Sequence, residues 1–350
     1  MSEVGNSLYR KYRPQAFTDV IGQDHIVKTL EGALREKNFG HAYLFIGSRG
    51  TGKTSVARIL ARELGASERD TYEIDAASHT GVENIRELRE QALTMPFESP
   101  RKVYIVDEVH MLSKGAFNAF LKLLEEPPEH VVFILATTEL EKVPETVQSR
   151  CQTFTFKKPT QKVIAEMVAR VANAEGFSLE KASAELIGLL SDGSFRDALS
   201  ALQKILASSS DKKVSVEEVV MVTGAPKIKL VERVIKGLSK GEAGDALAAL
   251  GEAADANADM GVFAALLIQR IRILLMLRYA PELGRKLSAD LTADDERMLE
   301  TFSQDKDSKI NSETLHKLIL ASIETSRSPL PALPLELAIM ELALETGTRR

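Results

Sequence analysis

Apolar residues run along this chain in two rhythms, and the change from one to the other divides it. Up to about residue 158, short unbroken apolar runs alternate with stretches of helical spacing. Ala42-Tyr43-Leu44-Phe45-Ile46, Val103-Tyr104-Ile105-Val106 and Val131-Val132-Phe133-Ile134-Leu135 read as buried strands, with Tyr72-Glu73-Ile74 and Phe154-Thr155-Phe156 as shorter ones. Between them, Val27, Leu30 and Leu34 recur every three or four residues and predict a helix. So do Val56, Ile59, Leu60 and Leu64, then Ile85 and Leu88, then Phe117, Phe120, Leu121 and Leu124. Thr80 and Glu83 form a capping-box pattern that starts the third helix near Gly81; Ser113 is placed to cap the fourth, and Pro127-Pro128 ends it. Strand and helix in alternation predict an α/β fold with a parallel sheet.

Beyond Lys157-Lys158-Pro159-Thr160 the strand-like runs cease. Val163, Ile164, Met167, Val168 and Val171 outline one helix, residues 184–190 a second, and Gly193-Ser194-Phe195 leads into a third that begins with Arg196-Asp197. A polar connector at 208–213 and Gly224-Ala225-Pro226 mark another boundary. After it residues 230–238, 243–250, 263–277, 315–325 and 333–344 all read as helices. Helices this apolar, carrying few chemically pointed residues, imply a packing or assembly module. The expected domains are therefore 1–158, 159–223 and 224–350.

Composition narrows the partners. A chain of 350 residues with net charge -5 does not coat nucleic acid with a uniformly basic surface, so any contact with DNA is local. Cys151 is the sole cysteine, which excludes an internal disulfide and a cysteine-based zinc site and points to a reducing compartment. Gln269, Arg270 and Arg272 interrupt the longest apolar run, and the N-terminus has no signal-peptide core, so no membrane contact and a cytoplasmic location are expected.

The chemistry gathers around Gly47-Ser48-Arg49-Gly50-Thr51-Gly52-Lys53-Thr54, a full match to G-x-x-x-x-G-K-[ST] lying between a strand and a helix. Glycines let successive N–H groups turn inward on a phosphate, Lys53 adds a point charge, and Thr54 offers a hydroxyl to magnesium. Arg49, Thr51 and Ser55 complete the cradle. The strand 103–106 delivers Asp107-Glu108 some fifty residues on, where Asp107 suits a metal and Glu108 an attacking water. Thr137-Thr138 closes the next strand, where a hydroxyl reaches a terminal phosphate or that water. Other residues keep two readings. Arg150 is either a solvated charge or a finger on a neighbour's phosphate. Arg196, a cation in a helix's first turn, either meets an anion or pairs with Asp197. The basic and aromatic run Tyr9-Arg10-Lys11-Tyr12-Arg13-Pro14 is either a docked arm or a base-stacking one.

The order of YRKYRP, FTDVIGQ, GSRGTGKT, VYIVDEVHML, FNAFLKLLEEPPEH, LATTE, SRC and GSFRDALS resembles the gamma/tau family of bacterial DNA polymerase III clamp-loader subunits. The match is densest over residues 8–206. The resemblance implies an AAA+ P-loop ATPase domain, a three-helix lid and an all-α collar holding a pentamer of copies and companion subunits, which acts on a ring-shaped sliding clamp and primed template DNA. It implies ATP and magnesium as cofactors, with Lys53 and Thr54 gripping phosphates and metal, Asp107 and Glu108 as the acidic pair, Thr138 and Arg196 as sensors, and Arg150 as the finger. Val20 and Ile21, with Tyr9, Tyr12, Arg13 and Pro14, would flank adenine. Another AAA+ motor, a branch-migration helicase or a remodeller, is the alternative. Members of the family insert a four-cysteine zinc module after the P-loop helix, whereas here only residues 62–71 bridge that gap, so no zinc is expected. They also tend to be basic after the second strand, where this chain has His79 and Gly81. Helix starts at Thr80 and Ser113, with Arg86, Lys122 and Lys142, are the candidate DNA contacts.

Overall fold

A computed structural model describes residues 7–78, 80–288, 291 and 293–347; His79 lies outside the described residues. The chain forms two compact units. One holds the chain up to Ile164 together with Ser191–Ser200, the other Ala165–Leu190 and everything from Ala201 on.

In the first unit five parallel strands, β1 (Ala42–Ile46), β2 (Thr71–Asp75), β3 (Lys102–Asp107), β4 (Val131–Thr137) and β5 (Gln152–Thr155), lie in the order β2-β3-β4-β1-β5. Around them run α1 (Leu8–Lys11), α2 (Asp24–Arg35), α3 (Lys53–Glu63), α4 (Val82–Leu93), α5 (Lys114–Glu125) and α6 (Glu145–Gln148). The central strands are covered on both faces, which is why they read as continuous apolar runs and not as alternating ones. Successive side chains go to opposite layers. Leu44, Tyr104, Phe133 and Leu135 pack with Ile85 and Leu88 of α4 and with Phe117 and Phe120 of α5. Tyr43, Phe45, Ile105 and Ile134 pack with Ile26 and Leu30 of α2 and with Val56 and Leu60 of α3.

The chain leaves β1 for the far edge at β2, works back through β3 and β4, and then passes to the other side of β1 for β5. That reversal beside β1 opens a crevice beyond the carboxyl ends of the strands, where ligands of open α/β sheets sit. Register aligns the ends: Ile46 pairs with Thr137, and Asp107 with Asp75.

One helix start differs from expectation. Helix α4 begins at Val82 with Gly81 as its cap and no side-chain capping bond. The Thr80–Glu83 capping box does not form, because with Gly81 as the cap the third helical position is Asn84. Glu83 turns along the helix to pair with Arg86 at 2.7 Å. The Thr80 carbonyl accepts from Ser113 N–H at 3.1 Å and so ties the starts of α4 and α5 together. Ser113 does cap α5, its hydroxyl accepting from Ala116 N–H at 3.2 Å. The short bridge after α3 ends on Asp70, which is fully buried and accepts from the N–H groups of Phe97, Glu98 and Ser99 and from the Ser99 hydroxyl. A single carboxylate thereby ties the bridge to the loop that precedes β3.

The second unit is almost wholly helical: α7 (Gln161–Ala174, from Ala165 on), α8 (Lys181–Leu190), the rest of α9 (Phe195–Ser208), α10 (Val216–Thr223), α11 (Ile228–Lys240), α12 (Ala243–Asp255), α13 (Met260–Tyr279), α14 (Pro281–Ser288), α15 (Ala293–Gln304), α16 (Ser312–Thr325) and α17 (Leu333–Gly347). Helix α13 is long and apolar enough to cross a membrane by composition, yet Phe263, Leu267, Ile271 and Leu274 are buried at the centre of this unit's core. It even buries a charge: Arg270, 2% exposed, pairs with Asp295 at 2.9 Å.

Candidate nucleotide site

The loop between β1 and α3 is held from three sides. Gly47 N–H donates to the Thr137 carbonyl at the end of β4 (3.2 Å), and a side chain at Gly47 would put its Cβ 2.8 Å from Cβ of Phe156. The Thr51 hydroxyl donates to the Ser48 carbonyl at 2.9 Å. Gly50, at φ +74°, lies against Ser194, and its carbonyl accepts from Phe195 N–H at 3.0 Å. Gly52 caps α3 in a left-handed conformation without any side-chain cap, so the first-turn N–H groups of α3 are left to an anion. Lys53 is 5% exposed and its ammonium donates to the Gly47 and Ser48 carbonyls at 2.7 and 3.0 Å. Burial lowers its pKa, while Glu108 and Asp107 oppose that. A buried cation folded on its own loop is poised to exchange two carbonyls for phosphate oxygens. Arg49 and Ser55 flank the loop, the former exposed and the latter half-buried.

On the facing side the Thr54 hydroxyl donates to Asp107 Oδ2 at 2.9 Å, and Asp107 Oδ1 accepts from Glu108 N–H at 3.0 Å. One hydroxyl and one carboxylate side by side suit magnesium, which takes few protein ligands and fills its shell with phosphate and water. Among the described residues no group of three or more His, Cys, Asp or Glu side chains could hold a metal. Glu108 has φ +48°, a left-handed backbone that a non-glycine residue adopts at a cost. The Thr138 hydroxyl donates to Glu108 Oε2 at 3.1 Å. P-loop, acidic pair and threonine, expected from three separate strand ends, are thus adjacent.

The arm and the third-helix arginine also meet. Arg196 rests over the Tyr9 ring, its Cζ 5.0 Å from the centroid. Burial, and then the neighbouring charges of Arg58 and Arg196, lower the pKa of Arg13. Arg58 pairs with Glu73. Cations crowded on one another beside a phosphate loop are electrostatically arranged for an anion. Tyr12, Pro14, Val20 and Ile21 are all half-buried. Close by in the chain, the Gln23 side chain holds the Lys157 backbone through bonds of 2.8 and 3.0 Å.

Other expected residues are engaged elsewhere. Arg150 pairs with Glu125 at 2.7 Å and donates to the Thr146 carbonyl at 2.8 Å. Next to it, burial pushes the Cys151 thiol up to about 12, so it is not a nucleophile. Of the candidate DNA contacts, Arg86 and Lys142 are paired with Glu83 and Glu139, Lys122 is exposed, and Thr80 lends its carbonyl to Ser113.

Sequence reasoning missed His110, Glu139, Arg58 and Ser194. His110 lies two residues after the acidic pair in the chain, and its imidazole is a signal that the reading passed over. Ser194 had none, since its neighbour Gly50 is far away in sequence.

Comparison with known proteins gives a consistent result. Residues 69–160 match the family described as DNA polymerase III, delta subunit. The chain is 43% identical to the DNA polymerase III subunit tau of Bacillus subtilis over 298 residues, 79% of this chain and 53% of that one. It is 37% identical to the gamma/tau subunit of Mycobacterium tuberculosis over 82% of this chain and 54% of that one. To the tau subunit of Escherichia coli it is 37% identical over 84% of this chain and 48% of that one. The chain therefore spans about half the length of the curated relatives it matches. Among solved structures, the RuvB Holliday junction branch migration motor of Thermotoga maritima is similar in fold, with a TM-score of 0.52 at 20% identity over 83% of this chain and 88% of that one.

Proposed function

Because this chain belongs to the gamma/tau family of DNA polymerase III subunits, we propose that it is the ATP-hydrolysing subunit of a loader that places a ring-shaped sliding clamp on primed DNA. The observation that carries the reading is a divided site. Lys53, Thr54, Asp107, Glu108 and Thr138 converge on one crevice, while Arg150 is paired to Glu125 and not to any of them. On this reading the loop N–H groups and Lys53 bind the phosphates, and Tyr9, Tyr12, Arg13, Pro14, Val20 and Ile21 enclose the base. Thr54 and Asp107 would hold magnesium, which when bound neutralises charge on the terminal phosphates. Glu108 orients the attacking water and takes its proton, steadied by Thr138. Arg196 stabilises the same phosphates from the third helix, and Arg150 does so for the neighbouring protomer's nucleotide.

Residues 159–223 then serve as a lid and 224–350 as a collar joining protomers and companion subunits. ATP held between protomers draws them into a spiral that opens the clamp; primed DNA entering the spiral triggers hydrolysis and release. Energy is used for switching and not for chemistry on DNA. The test is a mixed assembly containing Arg150→Ala chains. Stimulated hydrolysis should fall about 10²-fold or more while ATP binding stays nearly intact, and unchanged turnover would count against the proposal. The shared fold with a branch-migration motor supports a second reading, a helicase. Strand separation without any clamp would favour it, and clamp-dependent ATPase stimulation would exclude it.

A further inference from the structure

Arg196 reaches the site with a well-fixed backbone and a loosely held side chain. Phe195 N–H donates to the Gly50 carbonyl at 3.0 Å, the Ser194 hydroxyl accepts from Asp197 N–H at 3.2 Å, and the Arg196 carbonyl accepts from the Ser200 hydroxyl at 2.7 Å. The start of α9 is therefore seated on the P-loop. The guanidinium has no such support. Among the described residues Arg196 pairs with no carboxylate, and Asp197, next to it in the helix, does not face it. What Arg196 does touch is the ring of Tyr9, its Cζ 5.0 Å from the centroid.

Two forces push that guanidinium away. It belongs to the first turn of α9, the positive end of the helix dipole. Arg13 also stands close by: burial and the charge of Arg58 lower its pKa, and the charge of Arg196 adds to the same shift. Arg58 is itself paired with Glu73. A side chain repelled from two sides turns out to water unless something attracts it, and the electron-rich face of a phenol attracts a cation. The ring is anchored for this. Leu8 beside it is buried, and the Ser7 carbonyl accepts from the N–H groups of Arg10 and Lys11 at 2.8 and 3.0 Å. Arg10, on the same short helix, lies with its Cζ 5.8 Å from the Tyr9 centroid.

We infer that Tyr9 is a positioning residue for Arg196, its ring holding the guanidinium at the phosphate loop against the repulsion of Arg13 and of the α9 dipole. The inference rests on the function proposed above, in which Arg196 stabilises the nucleotide's phosphates, and it gives the ring a task different from enclosing the base.

A ring that acts through Arg196 matters only while Arg196 is present. In the assembled complex, with clamp and primed template at fixed salt, kcat/KM for ATP is measured for single and paired variants. Tyr9→Leu should lower it about three- to tenfold, and Tyr9→Phe, which keeps the ring face, should stay within about twofold of the wild type. Beside Arg196→Ala, Tyr9→Leu should change it by less than about twofold. Equal losses in both backgrounds would mean that the ring serves the base or the fold, and would overturn the inference. So would a Tyr9→Leu complex that turns over ATP like the wild type. Undiminished turnover in Arg196→Ala alone would instead remove Arg196 from the proposed function, and the task of Tyr9 with it. Leucine keeps apolar bulk on α1, and any loss of stability common to both backgrounds cancels in the comparison.

Discussion

Gly50 occupies a position that the P-loop pattern leaves open, and the structure predicts that it tolerates no side chain. At φ +74°, alanine costs about 1–2 kcal/mol for the left-handed backbone alone. Its methyl would also collide with the Ser194 hydroxyl and stand 2.8 Å from Ser194 Cβ. Ser194 cannot step aside cheaply: it is 5% exposed, and its hydroxyl caps α9 by accepting from Asp197 N–H at 3.2 Å. Rotating it away forfeits a cap worth about 1 kcal/mol. Backing the segment off breaks the 3.0 Å bond from Phe195 N–H to the Gly50 carbonyl, at a similar net cost of about 1 kcal/mol, and draws Arg196 away from Tyr9. Gly50→Ala should therefore lose about 2–3 kcal/mol in nucleotide-free urea unfolding and deprotect the Phe195 amide in hydrogen exchange. Gly52→Ala, at φ +102° with nothing within 4 Å of the added Cβ, serves as the strain-only reference. The decisive measurement is Ser194→Gly in both backgrounds. It should cost a few tenths of a kcal/mol in the wild type yet restore about 1 kcal/mol beside Gly50→Ala. If its effect is the same in both, the packing argument is wrong.

Further outcomes follow from other sites. Glu108→Gln should cut turnover by about 10²-fold or more while nucleotide affinity stays within a few-fold, and retained turnover would remove Glu108 from the chemistry. In the second unit, Arg270 is buried with its Nε and Nη1 making no hydrogen bond, it pairs with Asp295, and the Glu232 carboxyl interacts with both. Arg270→Met alone should destabilise by about 3–5 kcal/mol by taking the cation away from a buried carboxylate, whereas Arg270→Met with Asp295→Leu should recover most of that loss in denaturant titration. At Asp70, burial acts to raise the carboxyl pKa, but the Ser99 hydroxyl and the N–H groups of Glu98, Phe97 and Ser99 hold it well below the usual range. A depressed folded pKa means stability that is complete above the unfolded value near 4 and is lost as pH falls below it. The stability gap between wild type and Asp70→Asn should therefore be widest above about pH 4 and shrink in more acid solution; a gap independent of pH would refute the assignment.

What could be read from the chain and what could not separate along a physical line. Strands β1, β3 and β4 were legible because burial on both faces leaves unbroken apolar runs, and the residues they deliver follow directly in sequence: the P-loop, Asp107-Glu108 and Thr137-Thr138. The start of α4 was misplaced by one residue because Thr80 and Gly81 both carry cap-forming chemistry, and the choice fell to a tertiary bond from Ser113 to the Thr80 carbonyl. Pairings between strand ends were illegible in principle. They depend on sheet order, and an order of β2-β3-β4-β1-β5 brings the end of β4 beside β1 and places β3 next to β4, a permutation that periodicity does not encode. His110 shows the consequence. Its identity is printed three residues after Asp107, but its meaning lies in Thr137 and Glu139, which only the pairing of β3 with β4 brings within 3.1 Å. A histidine after an acidic pair carries no functional weight on its own. The same histidine gains its surroundings only once the fold sets a carboxylate on either side of it, one facing the phosphate loop and one tied to a surface lysine.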